Sequence, residues 1–165
     1  MTHPSAGPAW LGWLEATALA TAMRQWAWLY PIVEITHIVG FVLLVGSAFM
    51  FDLRLLGWSP RLPDAGMERH LLPWARLALL LVVPSGAMMF AAHATEFYEN
   101  PAFRLKLILV AAGASNAFIF HRWPFRSVAR WNLEAPAPPA ARVAALASLA
   151  LWTGVIACGR LLAYF

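Results

Sequence analysis

Five ionisable side chains fall in or beside stretches of this chain that otherwise suit lipid: Glu34, His37, His93, Lys106 and Arg160. A titratable group at membrane depth is costly, so it faces a bundle interior and marks a functional site by default. Tyr30, Glu34, His37, Gly40, Leu44 and Ser47 follow three- and four-residue steps, and Gly86, Met89 and His93 do the same further along. On helices, each histidine then shares its stripe with a glycine. Two histidines on facing helices, beside small residues that let a flat macrocycle approach, are what bis-histidine haem b ligation in a bundle requires. The residues point to a haem site with His37 and His93 as iron ligands, Gly40 and Gly86 giving room, and Met89 as a substitute ligand one turn deeper.

Lys106, the only lysine, and Arg160 suit the anionic propionates of such a macrocycle. Glu34, one turn from His37, is placed to take the second ring proton through a neighbour or water and so fix the tautomer. The plainer alternative is that Lys106 and Arg160 snorkel to the interface and that the glycines serve close helix packing.

The elements that must position these groups are membrane helices. With 61% hydrophobic and 12% charged residues in 165, the chain lies outside ordinary soluble composition. Apolar runs cover roughly 35–51, 77–94, 107–120 and 143–159, each extendable to the ~20 residues a span needs. We expect one all-α membrane domain, an integral four-helix bundle with spans at 31–54, 68–99, 101–121 and 141–163. Residues 1–8 read as a tail. Trp10, Leu11, Trp13, Leu14, Ala18 and Met23 recur at helical spacing around Glu15 and Arg24, which predicts an interfacial amphipathic helix over 9–25. The N-terminus has no basic n-region and cleavage site of a signal peptide, so the first span reads as retained. Counted from Pro31, Glu99, Pro101 and Phe165, the residues His37, His93, Lys106 and Arg160 reach similar depth, within about one helical turn. That match depends on the second span running to Glu99.

Charge gives the orientation. Arg54, Arg61 and Arg69 follow the first span, and Arg122, Arg126, Arg130 and Arg142 follow the third, which makes these loops cytoplasmic by the positive-inside rule. Both termini then face outward, which in a bacterium is the periplasm. Trp26, Trp28 and Tyr30 form an interfacial aromatic belt, and Asn100-Pro101 marks a tight turn between the second and third spans. The stretch from Glu134 to Ala140, rich in proline, reads as a stiff connector.

A second polar cluster gathers at the cytoplasmic side: Asp52, Arg54, Arg69, His70, Arg76, Asn116 and His121. His70 and His121, with Asn116 near them, are candidates for a second haem, against the simpler reading of a network that fixes loop geometry. Cys158 stands alone inside the fourth span and serves packing. There is no Gly-rich phosphate loop, no zinc spacing, no serine-hydrolase elbow and no surface for nucleic acid. Copper is not excluded, because His37, His93 and Met89 are acceptable ligands for it.

The run Trp28-Leu-Tyr-Pro-Ile-Val-Glu-Ile-Thr-His-Ile-Val-Gly40, the following Asp52-Leu-Arg-Leu-Leu-Gly57, the Asn100-Pro-Ala-Phe-Arg-Leu-Lys106 turn and the ending Gly159-Arg-Leu-Leu-Ala-Tyr164 resemble a family of small bacterial four-helix inner-membrane proteins of unknown function. The likeness spans nearly the whole chain and implies fold and location. More distantly, a histidine in the first helix and a lysine early in the third are similar to the HemJ type of haem-binding protoporphyrinogen oxidase and to CopD-type copper proteins. The chain departs from HemJ in its helix-one surroundings and in where its helix-three histidine falls.

The expected function is that of a haem-b-binding membrane protein, an electron-transfer cytochrome or the haem subunit of an oxidoreductase. Its expected partners are the lipid bilayer and a quinone or periplasmic redox protein, with assembly as a homo-oligomer or within a larger complex. The rivals are a transporter for a metal ion or small molecule built on Glu34, His37, Lys106 and Arg160, and an accessory subunit without catalysis.

Overall fold

The computed structural model describes residues 7–58, 64–130 and 136–164. Pro60, Arg61, Pro63, His3 and the start of the connector at Glu134 lie outside them. The described chain is all-α: α1 (Ala9–Glu15), α2 (Ala18–Gln25), α3 (Leu29–Leu55), α4 (Asp64–Ala92), α5 (Ala94–Glu99), α6 (Pro101–Arg122), a 3-10 turn (Pro124–Arg130) and α7 (Pro139–Leu161). Four of the helices are long and apolar enough to cross a membrane. Their outer faces are apolar as well, with Val42, Leu80, Ile108 and Val143 each more than 60% exposed. Water would punish such a surface and lipid does not, so the chain is a multi-pass membrane protein.

Because lipid is as apolar as the helices, close contact here comes from small residues rather than from hydrophobic burial. A β-carbon on Gly40 would lie 2.8 Å from Leu81 Cβ, so α3 and α4 touch backbone to backbone at that point. Ala78, Ala141 and Ala145 are fully buried in the same way. Near the far end of the spans, Leu55, Phe120, Ala141 and Ala145 form a core against which Phe51 and Phe125 pack. Helix α3 stops at Gly57, whose φ of +104° turns the chain while the Trp58 amide donates back to the Leu53 carbonyl at 3.1 Å.

The helices follow one another around the bundle as α4, α3, α7, α6. Among the described residues α4 and α6 make no close backbone approach, and neither do α3 and α6. Rings bridge the first gap at the end where α1 and α2 lie, here called the arm end: Phe103 stacks on Phe90 at 5.6 Å and on Phe97 at 5.0 Å between centroids. Space is left among the helices beneath those rings.

The arm is two helices, where one was expected over 9–25. Thr17 breaks it: its hydroxyl donates to the Leu14 carbonyl at 2.7 Å and accepts from the Ala20 amide at 3.3 Å, which caps α2. The second span also differs from the expected 68–99. It begins at Asp64, ends at Ala92, bends at His93 and resumes as the short helix α5. Asn100 then caps α6, its side-chain oxygen accepting from the amides of Ala102 and Phe103 at 2.9 and 3.2 Å, with Pro101 in the first turn.

Candidate functional site

His37 points from α3 at α4. Its Nδ1 lies 3.1 Å from the Val82 carbonyl oxygen and 3.0 Å from Ser85 Oγ. A carbonyl can only accept, so Nδ1 carries the proton and Nε2 keeps its lone pair. Ser85 Oγ donates to the Leu81 carbonyl, which leaves its own lone pairs toward His37. The tautomer is thus fixed by α4 and not by Glu34. Gly86 makes the approach feasible, since a β-carbon there would stand 3.0 Å from His37 Cε1. Space beside Gly86 is filled by the imidazole itself, and space beside Gly40 by Leu81 and Val82. Neither glycine is left open for a macrocycle.

A cavity of about 610 Å³ opens at the arm end, walled by all four long helices and α5. Its polar lining is Tyr30, Glu34, His37, His93, Glu96 and Lys106; Met89, Phe41, Phe97, Val155, Ile156 and Gly159 are among the apolar and small residues that complete it. The structure therefore brings Glu34, His37, Met89, His93 and Lys106 together, as their spacing suggested. His93 sits at the bend, its ring edge-on to Tyr30 at 5.5 Å and to Phe97 at 6.3 Å. Lys106 reaches across α7, its Nζ 3.8 Å from the point where Gly159 would carry a β-carbon.

Arg160 is not in this lining. Its Nη2 donates to the Tyr164 hydroxyl at 2.7 Å and its guanidinium stacks over that ring at 4.9 Å. One position on from Gly159, it is rotated by about 100° away from Lys106, so the expected propionate role does not follow from its placement. Ser85, Glu96 and the Val82 carbonyl belong to the site although the sequence reading passed over them. A serine within an apolar run, four residues before Met89, was the available signal; the carbonyl gave none.

At the other end Asn116 donates from Nδ2 to the Ala144 carbonyl at 2.9 Å and ties α6 to α7. His121 packs edge-on against Phe120 and Phe125 at 5.3 and 5.5 Å, and His70 is exposed. Arg54 and Asp64 form a buried ion pair at 3.1 Å, and Asp52 is hydrogen-bonded to Ser148 with its Oδ2 unpartnered. These contacts fix loop and helix geometry. Among the described residues no three His, Cys, Asp or Glu side chains converge to hold a metal ion.

The family of unknown function DUF6644 matches residues 10–165, which takes in every run on which the family resemblance rests. The chain belongs to that family. No curated protein and no solved structure matches it. The more distant likeness to HemJ-type and CopD-type proteins is without support. In this DUF6644 member the match covers the arm, the bend at His93 and every helix that walls the cavity.

Proposed function

We propose that this membrane protein binds haem b in the arm-end cavity, where His37 would hold the iron through Nε2, and works in electron transfer. One observation carries the reading: within a membrane span, a backbone carbonyl accepts the Nδ1 proton of His37, and the same residue lines the cavity with Nε2 not engaged by that bond. Iron-binding histidines are oriented in this way, with the second nitrogen donating to a carbonyl. The cavity falls inside the roughly 300–1,000 Å³ usual for small-molecule sites, and His93 and Met89 on the same lining are available as second ligands. Lys106 supplies the positive charge for a propionate. When bound, the group would cycle one electron between its ferric and ferrous forms, exchanging it with a quinone or a redox protein at the membrane surface.

The arrangement of arginines favours a bacterial inner membrane with the cavity toward the periplasm. A second reading rests on Glu34 and Glu96 lining the same cavity as Lys106, a set that also suits a small organic ion carried by a transporter. The absorption spectrum of the detergent-purified protein separates the two. A Soret band with reducible alpha and beta bands, lost in His37→Ala and weakened or changed to that of a five-coordinate or Met89-ligated species in His93→Ala, is the expected result. A colourless protein that does not take up added haemin would overturn the haem reading.

A further inference from the structure

We infer that Glu15 and Arg24 form a splint across the break in the second membrane helix and thereby position His93, Glu96 and Phe97 at the mouth of the cavity. Helix α4 stops at Ala92 and α5 starts at Ala94, so the bare carbonyls ending one helix meet the bare amides starting the next at His93. Such groups have no partner inside their own helices, and low-dielectric surroundings make leaving them unpaired expensive. His93 is not helical (φ −139°, ψ 47°) and gives α5 no side-chain cap.

The arm supplies both partners from far away in sequence. Arg24 Nη1 donates to the Ala92 carbonyl at 2.8 Å. The Thr95 amide donates to Glu15 Oε1 at 2.7 Å. Each sign matches the helix dipole it meets, a cation at the C-terminus of α4 and an anion at the N-terminus of α5. Arg24 also donates through Nη2 to the Glu15 backbone carbonyl at 2.6 Å, which joins the two caps into one unit. Its footing is firm: Leu11, Met23 and Ala92 are each only 1% exposed, and Met23 packs with Val33 and Ala92.

The break has backbone bonds of its own, from the His93 amide to the Phe90 carbonyl at 3.2 Å and from the Phe97 amide to the His93 carbonyl at 3.0 Å, while the Ala92 carbonyl and the Thr95 amide are taken by the arm, and α5 is too short at six residues to hold itself. The side chains that α5 presents to the cavity, Glu96 and Phe97, and the ring of His93 against Tyr30 are therefore set by the arm. Glu15 and Arg24 are outside the cavity lining and act on it through the two helix ends; they are positioning residues.

The test needs no cofactor and so stands apart from the haem reading. The full chain in lipid nanodiscs, carrying 13C-labelled histidine, reports the His93 ring signal, assigned with His93→Gln, alongside amide exchange over residues 93–99. Glu15→Ala is expected to move the His93 signal and speed exchange of the α5 amides about tenfold, with the His70 and His121 signals and the α6 and α7 amides unchanged. Glu15→Gln keeps a carbonyl oxygen for the Thr95 amide and should restore the native signal. Arg24→Lys keeps charge but loses the fork, and should fall between. An unmoved His93 signal in Glu15→Ala would overturn the inference. So would joint movement of all histidine signals, because the arm would then support the whole bundle and not one corner, and so would a Glu15→Gln that behaves like Glu15→Ala.

Discussion

His37 rests in the gap that Gly86 leaves on α4, with Cε1 3.0 Å from where a β-carbon would stand. The fit is tight enough that any side chain at 86 must push the imidazole away from Val82 and Ser85.

Gly86→Ala is accordingly expected to destabilise the protein by about 1–3 kcal/mol, as overpacking does, and to weaken retention of whatever His37 binds. Gly46, on the same span as His37, has nothing within 4 Å of its own β-carbon position. Gly46→Ala should be neutral, or stabilising by up to about 1 kcal/mol. Thermal unfolding of both variants in detergent, side by side, checks the pair; equal effects would show that Gly86 does not press on the histidine.

Lys106 and Arg160 separate by placement. Lys106→Gln removes the cavity's cation and should lower haem retention by roughly ten- to hundredfold, the worth of a charge-assisted hydrogen bond. Arg160→Gln should leave retention unchanged, because its guanidinium is engaged with Tyr164. Haem-to-protein ratios after identical purification decide it, and a loss in Arg160→Gln would bring that arginine back to the site.

The Arg54–Asp64 pair, with side chains only 9% and 2% exposed, should be far more sensitive than a surface ion pair. Asp64→Asn removes the carboxylate 3.1 Å from the buried Arg54 guanidinium and should destabilise by up to about 3–5 kcal/mol, whereas Arg54→Met with Asp64→Leu should cost less than the single change. Melting temperatures of the single and double variants measure the difference.

For topology, phosphatase fusions after Arg61 and after Phe165 are expected to be inactive at the first site and active at the second. The reverse pattern would invert the bundle.

The long helices were legible because composition alone demands them: uninterrupted apolar runs of membrane length admit few other structures. Glu34, His37, Met89, His93 and Lys106 were legible as a group because each breaks such a run near the same end. What sequence could not show is contact made through the backbone. The Val82 carbonyl that orients His37 is invisible to residue type, and the obvious acid nearby, Glu34, drew the role instead. The bend at His93 was hidden because its caps, Glu15 and Arg24, lie on another element and carry no local signature. Arg160 was misplaced because depth was counted and angle was not.

Helix α3 packs most extensively on α4, and α6 on α7, while the seam between α3 and α7 is thinner. The spans thus behave as two hairpins made in succession, and the cavity exists only after the second has docked on the first. Any molecule lodged there touches both hairpins and works as a stitch across their seam. Linkage then gives such an occupant about 2.7 kcal/mol of added cohesion at a hundredfold excess over its dissociation constant. Removing such an occupant would leave the α3–α7 seam as the main join between the two hairpins.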